Sequence, residues 1–410
     1  MKSGGEGART AGAAPSALSG LLTPGAALRF VVFLGVVSLL ADMTYQGGRS
    51  ITGPFLAQLG ASATVVGVFA GFGELLGYGL RIVSGRLSDR AGNYWRMTTL
   101  GYLINLLAIP ALALAGSWEM AVVLMMLERT GKAIRKPARD AMLAHATAGI
   151  GRGWGFGLHK AMDQTGALLG PLLMAAVIAY TGGSYRTAFA LLVAPALLAL
   201  AVLLAARREY PRPSELEVKR VELDTTGTSR RYWIYLAASA LVACGYADFP
   251  LIAYHFAKGD AMPPTWIPLL YALAMGTSAV AAPAAGWLFD RVGVVVIGAS
   301  VLAAAFFAPL VFLGGPLLAV AGMALWGVGM GVQESIVRAA VADLVPADRR
   351  AGAYGIFDTG FGVFWFAGSA LMGALYDRSI PALVVFSVAA QLAALPLLAM
   401  VAAKGNRASV

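Results

Sequence analysis

The sequence predicts an all-α membrane protein made of two six-helix halves related by a pseudo-two-fold axis. Of its 410 residues, 59% are hydrophobic and only 13% are charged. A soluble chain of this length needs more charged surface, so most of the helices must face lipid. A short pattern, Gly-x-x-x-Asp-Arg-x-Gly, also occurs twice, at residues 85–92 and at residues 286–293. This repetition indicates a duplicated architecture.

Twelve apolar stretches approach or exceed the length that crosses a bilayer. About twenty apolar residues span the hydrocarbon core, and these stretches lack the alternation of a membrane barrel. Numbered 1 to 12 in chain order, the predicted segments are 28–50, 64–85, 97–115, 119–138, 154–180, 185–206, 232–257, 266–288, 294–313, 317–339, 351–375 and 380–403.

One long polar break divides the chain into two halves. The predicted divisions are an N-terminal cytoplasmic tail, a first half, a cytoplasmic linker, a second half and a C-terminal cytoplasmic tail, at 1–27, 28–206, 207–231, 232–403 and 404–410. Gly170 of the first half has a counterpart in Gly368 of the second. Two parallel halves place a substrate cavity at their interface, near the bilayer midplane.

The basic residues that give the net charge of +10 are distributed along the sequence as in a membrane protein. Lys and Arg crowd the N-terminal tail, alternate connections and the linker 207–231. Cytoplasmic loops are enriched in these residues, so we expect both termini and the linker to face the cytoplasm from the inner membrane. The anionic inner leaflet of the bilayer accounts for the basic balance. We therefore expect a multi-pass membrane protein with no nucleic-acid partner. We also expect it to be a monomer.

Segment 1 carries a polar face inside the membrane. Asp42, Tyr45, Gln46 and Arg49 are spaced to share one side of a helix. Ionisable side chains in the hydrocarbon core cost about 2.5–3.5 kcal/mol each, so they face a cavity or a partner. This face is either a structural polar seam between helices or a cavity wall. In the second case Tyr45, Gln46 and Arg49 bind substrate and Asp42 exchanges a proton.

Segments 4 and 5 add more membrane-embedded charge. Glu128, Arg129 and Lys132 lie on one side of segment 4. The two cations either neutralise acids across the bundle or bind an anionic group of the substrate. His159 and Asp163 are one helical turn apart on segment 5, which suits either a proton relay or a structural contact with a cation of segment 4.

Three further positions complete the candidate site. Glu74 on segment 2 is a candidate for proton exchange. Asp248 on segment 7 is another, and Pro250 shortly after it should bend that helix. Among the aromatic residues of the second half, we select Trp326 as a substrate contact, although aromatic residues at helix ends are more often interfacial anchors.

The duplicated pattern predicts a gate on the cytoplasmic side. Its aspartate can accept bonds from a helix N-terminus and from nearby arginines. We expect each copy of the pattern to form a turn that holds neighbouring helices together. These contacts should break when the two halves change their relative orientation. The residues assigned to gating are Gly85, Asp89, Arg90, Gly92, Arg96, Asp290 and Arg291.

These motifs resemble those of the major facilitator superfamily of secondary transporters, and the resemblance covers essentially the whole chain. The pattern at residues 85–96 is similar to that family's loop signature between helices 2 and 3. Gly166, Gly170 and Pro171 resemble part of its antiporter signature, whose usual small residues are replaced here by residues 172–174. Residues 42–50 resemble a prokaryotic subgroup in which an acid often stands at the position of Gln46. The resemblance implies a twelve-helix fold with alternating access.

The sequence thus favours a proton-coupled exporter of an anionic or amphipathic organic solute. The partial antiporter signature favours export, and the embedded cations favour an anion. A proton-coupled importer of a metabolite such as an organic acid or sugar is the alternative, and a non-transporting membrane receptor is a third possibility. The sequence has no phosphate-binding loop, no clustered metal ligands and no nucleophile–base set. We therefore expect no enzymatic activity and no cofactor, with a proton gradient supplying the energy.

Overall fold

A computed structural model describes residues 24–91, 94–148, 152–211, 229–258, 262–345 and 350–403. Within these ranges every regular element is a helix. The first half contains α1 (Pro24–Gln58), α2 (Ala63–Ala91), α3 (Tyr94–Ala111) with a short 3-10 turn (Leu112–Leu114), α4 (Trp118–Ala148), α5 (Arg152–Thr181), α6 (Tyr185–Leu191) and α7 (Val193–Glu209). The second half contains α8 (Arg230–Gly245), α9 (Phe249–Lys258), α10 (Trp266–Val292), α11 (Val295–Ala305), α12 (Phe307–Phe312), α13 (Pro316–Leu344), α14 (Arg350–Arg378) and α15 (Ile380–Ala403).

The helices follow the twelve predicted segments in order. Ten helical segments among the described residues are long and apolar enough to cross a membrane. The other two predicted segments correspond to α2 and α4. In α2 the described apolar stretch is the shorter Ala63–Gly77, and α4 is 31 residues long but carries Glu128, Arg129 and Lys132 near its middle. The charged residues of α4 lower its hydropathy, which is why composition alone does not mark it as a membrane span.

Three predicted segments are divided in the structure. Segment 6 is divided into two helices at Leu192, segment 9 at Phe306 and segment 7 at residues 246–248. The break in segment 7 lies where Pro250 was expected to bend the helix. There the Phe249 amide donates to Asp248 Oδ1 at 2.9 Å, so the aspartate caps the start of α9.

Helix pairing repeats between the two halves, which confirms the duplicated fold. In the first half α1 packs on α5 and α7, and α2 packs on α4. In the second half α8 packs on α14 and α15, and α10 packs on α13. Gly170 of α5 lies against the Met43 carbonyl of α1, and Gly368 of α14 lies in the same way against the Cys244 carbonyl of α8. The exact boundaries of the halves stay a prediction.

The bundle has two distinct ends. At the linker end, where α1 begins and α7 ends, Arg29 pairs with Glu209 at 3.1 Å. At the opposite end the halves are in direct contact. Asp377 of α14 accepts hydrogen bonds from the backbone amides of Ala63 (3.1 Å) and Thr64 (2.8 Å) at the start of α2, and also from Thr64 Oγ1 (2.6 Å). The opposite end is therefore closed.

Towards the linker end the facing helices of the two halves are less tightly joined. Lys160 of α5 and Glu334 of α13 approach only to 3.9 Å, and both side chains are more than half exposed. Glycine contacts between the halves instead lie nearer the opposite end, where Gly53 of α1 meets the Pro250 carbonyl and Gly67 of α2 meets the Ser369 carbonyl.

Candidate functional site

The embedded charges lie near the middle of the bundle. Arg49, Glu74 and Arg129 stand nine, eleven and eleven residues from the ends of α1, α2 and α4 that lie at the opposite end. At about 1.5 Å per residue these positions are about 14–17 Å deep. A hydrocarbon core is about 30 Å thick, so the charges of three helices meet at mid-depth.

We call this group the central cluster. Its members come from α1, α2, α4 and the break between α8 and α9. It contains three cations and three acids around one phenol: Arg49, Arg129, Lys132, Glu74, Glu128, Asp248 and Tyr45.

Arg49 joins the two halves of the molecule. Its guanidinium forms an ion pair with Oδ1 of Asp248, at the start of α9, and lies 3.6 Å from Oε1 of Glu74 on α2. Arg49 Nε and Asp248 Oδ2 are buried and have no hydrogen-bond partner among the described residues. The predicted polar face of α1 is thus a contact between halves, and Arg49 pairs with Asp248 and not with Asp42.

Tyr45 lies between the two arginines. Its hydroxyl accepts hydrogen bonds from Arg49 Nη1 (3.0 Å) and from Arg129 Nη1 (2.6 Å). Arg129 also pairs with Oε1 of Glu74 at 2.9 Å. Of the two roles predicted for Arg129, the neutralisation of acids across the bundle is therefore realised in this structure.

Lys132 differs from the arginines because it takes part in none of the ion pairs among the described residues. Its Nζ lies 3.6 Å from the centre of the Tyr45 ring, a cation–π contact. Glu128 lies on the same helix, 3.6 Å from Arg129 Nε. Glu128 Oε1 also accepts a 2.6 Å hydrogen bond from Asn105 of α3. Lys132 is thus the cation of the cluster whose charge is least satisfied by acids.

The second half approaches the cluster with aromatic rings. Tyr271 of α10 donates a 2.7 Å hydrogen bond to Oε1 of Gln46. The ring of Trp326 lies 6.3 Å from that of Tyr271 and is fully buried. Its Nε1 donates to the carbonyl of Ala247 at 2.9 Å, within the break of segment 7. Trp326, the predicted substrate contact, is therefore separated from Gln46 by the ring of Tyr271.

The remaining candidates form a second group nearer the linker end. His159 Nε2 lies 3.0 Å from Ser38 Oγ, which also accepts a 3.0 Å hydrogen bond from Arg139. Asp163 has one buried carboxylate oxygen without a hydrogen-bond partner among the described residues. Asp42 interacts electrostatically with Asp163, Lys132, Arg135 and Arg139. It is absent from the ion pairs found in the described part of the chain.

The described residues of the duplicated pattern that precede Gly293 lie on helices. α2 and α10 continue to Ala91 and Val292. Gly85, Asp89 and Arg90 therefore fall within α2, but the surroundings of their side chains are not described, and Gly92 lies outside the described residues. Arg96 is exposed near the start of α3. Asp290 is exposed, and Arg291 stacks 3.5 Å from the centre of the Trp287 ring. The expected turn begins only at Gly293, whose positive φ of 65° ends α10.

Three contacts of the site were missed by sequence reasoning. Asn105 and Ser38 hold Glu128 and His159, and Tyr271 holds Gln46. A lone amide inside the apolar segment 97–115 is a signal for Asn105, because a buried amide needs a partner. Ser38 gives no such signal, since serine is common in membrane helices for other reasons. Tyr271 is one of the aromatic residues of the second half that could line the cavity, and among them only Trp326 was selected.

The sequence matches the Major Facilitator Superfamily over residues 32–369. The chain belongs to that superfamily. A relative in Mycobacterium tuberculosis, an uncharacterised protein, is 42% identical over 375 residues, which cover 90% of this chain and 92% of that protein. An uncharacterised transporter of the superfamily in Methanocaldococcus jannaschii is 28% identical over 359 residues, 85% of this chain and 89% of the relative.

A solved structure has the same superfamily fold. The peptide transporter POT in complex with sulfate superposes with a TM-score of 0.74 at 17% sequence identity, over 92% of this chain and 94% of that one. This likeness concerns the fold alone. The molecule is a multi-pass membrane protein of a transporter superfamily, and its central cluster lies where the two halves of that fold meet.

Proposed function

We propose that this chain is a proton-coupled exporter of a small anionic or amphipathic organic solute, working by alternating access from the inner membrane. The observation that carries the proposal is the contact between Arg49 and Asp248, a buried ion pair that joins the halves at mid-depth. Breaking such a pair leaves an unpaired buried charge. A ligand or a proton that replaces one partner therefore changes the balance between the two states of the transporter.

Lys132 is the proposed contact for the anionic group of the solute. Arg49 and Arg129 already have acids within ion-pair distance, whereas Lys132 rests on the Tyr45 ring. An arriving carboxylate or phosphate gains a charge-assisted hydrogen bond from Lys132 without displacing an acid of the protein. Gln46, Tyr45, Arg49 and Arg129 then line the same solute.

Asp42 is the proposed proton carrier. Glu74, Glu128 and Asp248 each hold an arginine, so a proton on any of them costs an ion pair. Asp42 has no such pair in the described residues and lies one helical turn from Tyr45. His159 and Asp163 then connect Asp42 to the linker end, which we take to be the cytoplasmic side.

The direction of transport rests on the partial antiporter signature. Gly166 and Gly170 lie against the Leu39 and Met43 carbonyls, so α1 and α5 are in backbone contact beside the central cluster. Import of a metabolite in symport with protons is the alternative, because the small residues that usually follow the signature are absent.

The first test is thermal unfolding of the purified protein at two pH values. The probes are small carboxylates, organic phosphates and lipophilic cations, since a ligand that binds only the native state raises the melting temperature. We expect anions to stabilise the protein in a pH-dependent way and Lys132→Ala to abolish the effect. Stabilisation by lipophilic cations alone would contradict the anion assignment.

The second test separates coupling from binding. In liposomes, Asp42→Asn should still exchange a stabilising anion across the membrane but should no longer drive its uphill movement with a pH gradient. Asp358→Asn on α14 is the matched control, a half-buried acid outside the central cluster, and should behave as the unaltered protein. If Asp42→Asn remains fully coupled, Asp42 is not the proton carrier.

A further inference from the structure

The two halves present different chemistry to the central cluster. The first half contributes nearly all of its charge, from α1, α2 and α4. The second half contributes Asp248 and a group of buried rings, which we call the aromatic wall: Tyr246, Phe249, Tyr271, Trp326 and Trp365. A site between the halves is therefore cationic on one side and aromatic on the other.

The rings of the aromatic wall form one continuous group. Phe249 and Tyr271 have ring centres 4.1 Å apart. Trp326 lies 6.1 Å from Phe249 and 5.8 Å from Tyr246, and Trp365 lies 5.9 Å from Tyr246. The planes of neighbouring rings are inclined to one another by 32–58°. In this geometry each ring exposes both an edge and a face to its neighbours.

The wall adjoins the central cluster at Asp248 and at Gln46, the residue that follows Tyr45 on α1. The Tyr271 hydroxyl donates to Gln46 across the boundary between the halves. Phe249 follows Asp248, the partner of Arg49, along the chain. The Tyr271–Gln46 bond joins two neutral groups, and neutral hydrogen bonds are weaker than the ion pairs around them. We therefore expect it to open more readily than the ion pair between Arg49 and Asp248 when a ligand enters between the halves.

One member of the wall has an unused donor. Trp365 Nε1 is buried and has no hydrogen-bond partner among the described residues, whereas Trp326 Nε1 is held by the Ala247 carbonyl. Buried donors are nearly always paired. An acceptor carried by a ligand among these rings would satisfy Trp365.

We propose that the transported solute is an aromatic anion. Its acidic group contacts Lys132, and its ring packs against Tyr271 and Trp326 once the bond between Tyr271 and Gln46 has opened. The inference rests on the proposed function, because it assigns a class of solute to the same site. It adds that flat aromatic acids are preferred over aliphatic acids of equal size.

The test compares ligands that differ in one property. Thermal unfolding of the full-length purified protein is followed with benzoate, 2-naphthoate, cyclohexanecarboxylate and benzyl alcohol. Benzoate and cyclohexanecarboxylate have the same charge and ring size, while benzyl alcohol keeps the ring without the charge. We expect 2-naphthoate and benzoate to stabilise the protein at concentrations about tenfold lower than cyclohexanecarboxylate. Benzyl alcohol should have no effect.

Two variants locate the ring. Tyr271→Leu should abolish the preference for benzoate over cyclohexanecarboxylate. Tyr271→Phe, which keeps the ring and is least disruptive to folding, should bind benzoate several-fold more tightly because no bond to Gln46 has to open. Trp266→Leu is the control, since Trp266 is half exposed at the start of the same helix, and should leave the preference unchanged.

The outcomes separate the two proposals. Equal stabilisation by benzoate and cyclohexanecarboxylate overturns the aromatic preference and leaves the anion transporter standing. A preference for benzoate that persists in Tyr271→Leu overturns the assignment of the ring to this wall. Stabilisation by none of these carboxylates overturns the aromatic anion, and the anion transporter is overturned as well only if the organic phosphates also fail to stabilise the protein.

Discussion

At the scale of single residues, the central cluster depends on Asp248. Asparagine at this position keeps the side-chain oxygen that accepts from the Phe249 amide but removes the charge facing Arg49. We expect Asp248→Asn to lower the free energy of unfolding by about 3 kcal/mol, because Arg49 stays buried without its main acid. Chemical unfolding in detergent measures the change.

The control for that substitution is Asp290→Asn. Asp290 is exposed near the end of α10, and surface substitutions usually change stability by less than about 0.5 kcal/mol. Equal stability of Asp248→Asn and Asp290→Asn would mean that Asp248 does not hold Arg49 in the folded protein.

Tyr45 permits a separation of its two roles. Tyr45→Phe removes the hydroxyl that accepts from both arginines and keeps the ring beneath Lys132. Hydrogen bonds to charged groups contribute about 1.5–3 kcal/mol, so we expect a loss of unfolding free energy in that range. Tyr45→Leu also removes the cation–π contact and should lose more. Equal losses in the two variants would show that Lys132 gains nothing from the ring.

At the scale of helices, the pairing of α1 with α5 depends on glycine. A Cβ on Gly170 would meet the Met43 carbonyl and the Gly47 amide, whereas a Cβ on Gly157 of the same helix would meet nothing within 4 Å. We expect Gly170→Ala to destabilise the protein by about 1–3 kcal/mol through overpacking, and Gly157→Ala to leave the melting temperature unchanged or slightly raised. A similar melting temperature for both variants would contradict the close approach of α1 and α5.

Asp377 joins the two halves at the opposite end. It caps the start of α2 from the other half of the molecule, and removal of an N-terminal cap costs about 1 kcal/mol. Asp377→Ala should therefore shift the population about fivefold towards a state open at this end. Asp377→Asn, which keeps one acceptor oxygen, should have a smaller effect.

Spin labels measure this opening. Leu114 and Leu317 are both strongly exposed and lie near the opposite end in different halves. The distance between labels at these positions should gain a longer component in Asp377→Ala. An unchanged distance distribution would mean that the cap from Asp377 does not hold the end closed.

At the scale of the whole molecule, hydropathy and the duplicated pattern were enough to predict the helical order and the family. Hydropathy does not show a break such as that at residues 246–248, because the freed backbone groups are satisfied by distant partners such as Trp326. The pattern at 286–293 was assigned to a turn because it lies near the end of an apolar stretch, yet α10 continues through Asp290 and Arg291.

The site was predicted less completely than the fold. Helical spacing brought Tyr45, Gln46 and Arg49 to one face, but periodicity within one segment says nothing about which segment lies opposite. The partners Asp248 and Tyr271 belong to the other half of the chain. Such pairings depend on how the halves dock, and no local pattern encodes that arrangement.

Membrane voltage acts on the charges of the central cluster and on whatever the protein transports. The three cations and three acids of the cluster sum to zero, but Asp248 belongs to the second half and the five other charged residues belong to the first. The charges of the protein return to their starting positions in each complete cycle, so under the proposed function we expect a steady current to report only the solute and the proton. Exchange of a monovalent anion for one proton moves the equivalent of two charges, or about 4.6 kcal/mol per cycle at 100 mV. Symport of the same pair moves none, so electrical recording distinguishes export from import.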